Sequence, residues 1–510
     1  MQQLSESLHA DTTNINTKIL FDYCTLNDLD PWDPSILRFL SPLKDPLKDC
    51  KVKIQQISKI INGQLFVYPP QNLNVSCQWR CLFPKSDYSL IWGNWTEIQN
   101  GTQPPCDIVE VECQKPNLNG TLIDFYKFLH PQIFQKQEPV KTTLENSLEK
   151  PDVHLIIFDS VSHSQFIRSM PKTVHMLQEN YEAISFPHLN KIGLNSRPNG
   201  FAMLLGKAIY AIPKSPMSRG YESDYKNGSY CNKYLDEDQF IGFRFQDNGY
   251  VTIMSEDWAL GLNNSYVIFM GDHGNRFGAL RNTDVGETED NNPFLFLSLP
   301  SNLKTNTKLT GTLKRNSKML ITHYDVYATF LDMAKPKSPR IPQPLIKGNT
   351  LFKPLPQPRT CDGLFVPFQY CICKPKTITL PKNNTVGIVG AELMVAQMNS
   401  NLLESNETNE CVSLILNKNS AIKVSQFVDE GNIKVYQITY STLPGDGQFW
   451  GYVSQMENNG TLSILSEKFP RLNVYAPQAI CASKASFASY CFCKSLLNQT
   501  TTTTAATYSI

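Results

Sequence analysis

The sequence contains no apolar run approaching the ~18 residues of a membrane-spanning helix, so no transmembrane segment is expected in this chain. Its opening residues, MQQLSESLHADTTN, lack the charged and apolar regions of a secretory signal. Neither sign of charge is in excess: Lys plus Arg number 47 and Asp plus Glu 46, for a formal charge of +1. That balance gives no electrostatic footprint for a phosphate backbone, and no nucleic-acid partner is expected. Charged residues are only 18% against 41% hydrophobic, which excludes a disordered or collagen-like chain. Histidine is sparse, with eight in 510 residues, and this limits how many metal centres the chain can furnish.

Cysteine is abundant by contrast. Fourteen are present, clustered as Cys77 with Cys81, Cys106 with Cys113, Cys371 with Cys373 and Cys491 with Cys493. None of these pairs has the C-x2-C spacing of a structural zinc site, so a disulfide set is the better account. Ten N-x-S/T sequons, at Asn74, Asn94, Asn100, Asn119, Asn227, Asn263, Asn383, Asn406, Asn459 and Asn498, agree with it. The expected location is extracellular or in the secretory lumen, with this chain starting after its targeting segment.

The length allows two to four domains at about 100–200 residues each. Residues 20–136 hold six cysteines, Cys24 to Cys113, with short β-favouring runs and turn pairs such as Asn100-Gly101. They read as a disulfide-braced, mainly β N-terminal domain. A polar linker over 137–150 follows.

From 151 to 353 the pattern changes to α/β. Val153–Phe158 is an apolar run ending in Asp159, as expected of a buried parallel strand. Helices are predicted from Pro171 and over Tyr324–Met333, and strands over Val251–Met254, Tyr266–Met270 and Asn292–Pro300. Strands alternating with helices predict a sheet flanked by helices, with ligands bound beyond the carboxyl ends of its strands.

Residues 354–497 read as a cysteine-framed C-terminal domain. Cys361-x9-Cys371-x-Cys373-Lys374 recurs as Cys481-x9-Cys491-x-Cys493-Lys494, around strand-like runs such as Ile433–Tyr440 and Phe449–Val453. Residues 498–510 form a low-complexity tail.

Two motifs could carry chemistry. Gly271-Asp272-His273-Gly274 follows an apolar strand. A carboxylate and an imidazole side by side on a tight turn can present two ligands to one divalent cation, with Asp159 at the end of another strand as a third. The same pair could instead cap a turn. Ser196, in Asn195-Ser196-Arg197-Pro198-Asn199, stands at or just before a helix N-terminus, where the free N–H groups and helix dipole favour an anion. A plain Ser N-cap would look the same.

Asp159-Ser160-Val161-Ser162, Met170-Pro171-Lys172-Thr173, Asn195-Ser196-x-Pro198-Asn199 with Leu205-Gly206-Lys207, and the run Phe269 to Gly278 resemble the domain-of-unknown-function 229 family. The resemblance implies the alkaline-phosphatase/sulfatase-like fold and a metal-dependent esterase site. Asp159, Asp272 and His273 would match metal ligands, Ser196 the nucleophile and Asn199 a donor to a nonbridging oxygen. A divalent metal, zinc by this reading, would acidify the Ser196 hydroxyl. The alkoxide would attack phosphorus or sulfur, and water would hydrolyse the covalent intermediate. The substrate would be a phosphate or sulfate ester.

The chain departs from that family where Ser196 replaces the usual Thr and His163 the usual Arg. In relatives a long segment, with a Ser-His-Asp stretch expected to supply a second metal site, separates the counterpart of Glu256-Asp257-Trp258 from the Gly-Asp-His-Gly strand. In this chain about eleven residues join the two predicted strands, fewer than a parallel crossover needs. The catalytic domain is therefore expected to be incomplete near 255–266. The leading expectation is a metal-dependent phosphate- or sulfate-ester hydrolase, and the alternative is a pseudoenzyme or extracellular binding protein on the same fold.

Overall fold

A computed structural model describes residues 23–134, 150–252, 265–334 and 346–499, with short interruptions within these ranges. The chain divides into two compact units, one of residues 43–149 and one of residues 1–42 with 150–510.

The unit over 43–149 is built on an antiparallel sheet in the order Ser89–Trp92, Ser76–Ser86, Ile108–Pro116, Leu122–Pro131. The period-2 alternation of a strand places Val109, Val111 and Cys113 on the buried face of Ile108–Pro116. Cys77 and Cys113 stand directly opposite each other in the register and are bonded, and Cys81 is bonded to Cys106. The remaining cysteines of the predicted N-terminal frame differ: Cys24 is bonded to Cys373, far along the chain, and Cys50 is exposed with no disulfide partner among the described residues.

In the second unit the apolar runs form a mixed sheet in the order Asp152–Phe158, Ser265–Gly271, Leu295–Ser298, Ile184–Ser185. The first two strands are parallel, paired residue for residue from Asp152 with Ser265 to Phe158 with Gly271. The register therefore ends both strands at one level and delivers Asp159 and Asp272 side by side. The expected strand over Asn292–Pro300 is narrower, Leu295–Ser298, and runs antiparallel to Ser265–Gly271. A strand buried on both faces carries no sign of its direction in its residue types. Val251 and Thr252, the described end of the predicted strand 251–254, are not in a strand, and residues 253–264 lie outside the described residues.

Helices Ser196–Leu205 and His323–Ala334 close one side of this sheet, sharing a core in which Met203, Tyr327 and Phe330 meet Ile268 and Leu295. At roughly 1.5–3 kcal/mol for each large apolar side chain buried, that core fixes the helix positions.

The C-terminal residues form an antiparallel sheet whose central strands are Ile433–Leu443 and Gly447–Met456, both longer than predicted. Helix Thr385–Glu404 packs on it. The sequence pattern predicts no helix there. A Cβ on Gly387 would lie 2.5 Å from Val424 and one on Gly390 2.4 Å from Ile438, so these glycines let helix and sheet approach closely.

The two cysteine frames echo in sequence but not in bonding. In the first, Cys361 joins Cys371; in the second, Cys481 joins Cys493 and Cys491 reaches Cys411. Six disulfides are formed among the described residues. No helix among them is long and apolar enough to cross a membrane. Disulfides on this scale are consistent with an extracellular or secretory-pathway location.

Candidate functional site

Beyond the carboxyl ends of the two parallel strands, Asp159, Asp272 and His273 offer ligand atoms that all lie within 4.8 Å of one another. His273 Nε2 stands 3.5 Å from Asp159 Oδ1 and 3.4 Å from Asp272 Oδ2. Ser196 Oγ joins them, 3.4 Å from Asp159 Oδ1 and 3.4 Å from His273 Nε2. Asp272 and His273 are buried, whereas Asp159 and Ser196 face solvent.

Each member is held by its own local structure. Ser160 adopts a left-handed backbone (φ 61°), which turns the chain sharply after the strand and points its N–H at Asp272 Oδ1, 3.0 Å away. The amide of His273 donates to the same oxygen at 2.8 Å, leaving Oδ2 free to face the site. The glycines of Gly271-Asp272-His273-Gly274 matter for close packing rather than for an unusual φ. A Cβ on Gly271 would lie 2.3 Å from the Val161 carbonyl, and one on Gly274 1.9 Å from that of Glu289.

The proton inventory follows from these contacts. His273 Nδ1 is 2.8 Å from the Gly274 carbonyl, which can only accept, so Nδ1 carries the hydrogen and Nε2 presents its lone pair. Burial lowers the imidazole below its usual range, with Asp272 opposing. Around the focus therefore stand two carboxylate oxygens, an imidazole lone pair and the Ser196 hydroxyl, and a second hydroxyl, that of Ser160, donates to Asp159 Oδ1 at 2.9 Å. An imidazole lone pair facing two carboxylate oxygens is a donor set that could hold a divalent cation.

Ser196 opens helix Ser196–Leu205. The N-cap is Asn195, and no side chain caps the helix. Ser196 is thus not a capping serine, and its hydroxyl turns to Asp159 and His273 instead. Asn199 differs from expectation. It is fully buried, its Oδ1 accepts from the amides of Ile192 and Gly193, and its Nδ2 donates to the carbonyls of Gly193 and Asn195. With both Nδ2 hydrogens engaged it cannot donate to a substrate oxygen; it shapes the loop that presents Ser196.

Behind the site lies a buried charge cluster that the sequence reading missed. Glu289 takes both terminal nitrogens of Arg168, at 2.7 and 2.8 Å, and the Ser162 hydroxyl. Asp290 pairs with Lys191 and, at 2.9 Å, with Arg281. Burial pushes Lys191 down to about 8 against the pull of Asp290. Burial would raise Asp290, but Lys191 and Arg281 outweigh it and hold its carboxyl low. The amide of Gly274 donates to the Asp290 carbonyl, which ties this cluster to the His273 turn. An acidic pair within a polar run gave no signal of burial. His323, fully buried beside the backbone of Gly271 and Asn190, is pushed down to about 4 by burial and is outside the ligand group.

The model of a family described as "Protein of unknown function (DUF229)" matches the chain in two segments, residues 44–261 and 260–420. No curated protein and no solved structure matches.

Proposed function

The chain belongs to the DUF229 family, and from that premise we propose that it is a metal-dependent hydrolase of phosphate or sulfate esters on an alkaline-phosphatase/sulfatase-like fold. The observation that carries the proposal is the convergence of Asp159 Oδ1, Asp272 Oδ2, His273 Nε2 and Ser196 Oγ beyond two parallel strand ends. Asp159, Asp272 and His273 would hold a divalent cation, zinc by the donor set. When bound, such a cation supplies Lewis acidity, stabilising negative charge on neighbouring oxygens.

The rest falls to the chain itself. Ser196 Oγ forms a bond to phosphorus or sulfur as the bond to the ester oxygen breaks, and the alcohol leaves. Ser196 faces solvent, so its hydroxyl proton passes to water and the departing alkoxide takes a proton from water. The N-terminus of helix Ser196–Leu205 favours the anion that develops there. Water then cleaves the seryl ester and restores the hydroxyl. Turnover of 4-nitrophenyl phosphate and 4-nitrophenyl sulfate tests this: activity should vanish on chelation, return with added zinc, and fall by about 10³-fold or more in Ser196→Ala. Activity unaffected by chelation or by Ser196→Ala would overturn it.

A second reading, a catalytically impaired or binding protein on the same fold, has its own support. The family match breaks at 260–261, and the sequence holds no histidine between His188 and His273 to furnish a second metal site. Sequencing the transcript across the codons for 255–266 separates the cases. An additional in-frame exon would restore the longer catalytic domain, whereas its absence together with an inert purified protein would favour the impaired or binding protein.

A further inference from the structure

Beside the four-residue site lies a cavity of about 820 Å³. Its wall includes Asn195 and Pro198, on either side of Ser196 in the sequence, and Arg276, three residues after His273. Another part of the wall comes from the C-terminal residues, among them Lys468, Arg471 and Phe487. The volume is that of a drug-sized ligand rather than of a bare phosphate or sulfate.

Its charges do not cancel. Of the basic residues lining it, Arg281 is paired with Asp290 and Lys347 with Asp224. Among the described lining residues three cations remain, Arg276, Lys468 and Arg471, against one exposed carboxylate, Glu222. Arg276 Nε is buried with no hydrogen-bond partner among the described residues, and its guanidinium lies over the Phe277 ring at 5.0 Å. Lys468 Nζ is held between two rings, 5.7 Å from the centre of Tyr210 and 5.4 Å from that of Phe487. Arg471 is buried and spends hydrogen bonds on neutral acceptors, Asn473 Oδ1 and the Ser489 carbonyl. A buried guanidinium such as that of Arg471, or a buried Nε such as that of Arg276, that meets rings and amides instead of carboxylates is costly unless an anion joins it. The same rings offer flat apolar faces for a cyclic group.

We infer that this cavity holds the organic part of the ester: a ring-bearing alcohol carrying at least one further phosphate, sulfate or carboxylate group, read by Arg276 and Lys468. The inference rests on the hydrolase reading for its placement beside Ser196. Its recognition chemistry can be tested without turnover.

The probe is 1,3,6-naphthalenetrisulfonate, a ring polyanion with no ester to cleave, titrated calorimetrically into the full chain beside neutral 2-naphthalenemethanol. The trisulfonate should bind at least tenfold more tightly than the neutral ring. Arg276→Gln and Lys468→Gln should each weaken it by about tenfold, while Ser196→Ala leaves it within twofold. Lys468 is exposed, so its substitution keeps the test decisive if the Arg276 variant fails to fold. Absence of binding, equal affinity for the neutral ring, or indifference to Lys468→Gln would overturn the inference. The two claims fail separately. Binding that depends on Lys468 in a chain that turns over neither nitrophenyl ester would sink the hydrolase reading, and turnover dependent on Ser196 with no trisulfonate binding would sink the cavity assignment.

Discussion

Single side chains set the geometry of the site, and their neighbours decide their roles. Asn199 satisfies two backbone amides of the loop before Ser196. Asn199→Ala should therefore cost about 1–3 kcal/mol in denaturant unfolding and reduce turnover by displacing the serine, with no loss of bound metal. Gly274 has no room for a side chain beneath the Glu289 carbonyl. Gly274→Ala should destabilise by about 1–3 kcal/mol and lower metal affinity as well, because it moves the His273 turn.

Acid acts through other histidines. His163 and His323 are held down to about 4, chiefly by burial, from an unfolded value of 6.5. His163 keeps part of its surface exposed, but its Nδ1 is enclosed. The unfolded chain binds more protons than the folded one between these values, so stability is full above pH 6.5 and drains away as pH falls toward 4. Thermal midpoints measured from pH 7.5 to 4 should show this decline, and His163→Gln should flatten part of it. At this scale the sequence disclosed Asp159, Asp272, His273 and Ser196 because strand ends and a helix start mark them. It did not disclose Lys191, Glu289 or Asp290, whose burial depends on contacts far along the chain.

At the scale of elements, what was legible was position and what was not was direction or partner. Hydrophobic runs marked the strands that became Asp152–Phe158 and Ser265–Gly271, and the register between them places the two aspartates together. The antiparallel course of Leu295–Ser298 was hidden because every residue of that strand is buried. Helix Thr385–Glu404 was hidden because its Gly and β-branched residues, poor helix formers alone, are there to fit a sheet. Gly390→Val should separate that helix from Ile438 and lower stability by about 1–3 kcal/mol in thermal unfolding, more than Val does at the exposed Leu393.

Across the whole molecule, cysteine spacing announced disulfides but not their partners. Cys24 spans 349 residues to Cys373, and the repeated frames close by different internal bonds. Spacing could not show this, because pairing follows which loops the fold brings together. A non-reducing digest should yield the Cys24 peptide joined to that of Cys373, and the Cys411 peptide joined to that of Cys491.

Bound metal tests the central claim most directly. Elemental analysis of the purified full chain, after exposure to zinc and exhaustive dialysis, should find about one divalent ion per chain, and Asp272→Asn should retain little or none at unchanged disulfide content. A wild-type chain that emerges without metal, or a variant that keeps the same amount, would contradict the account.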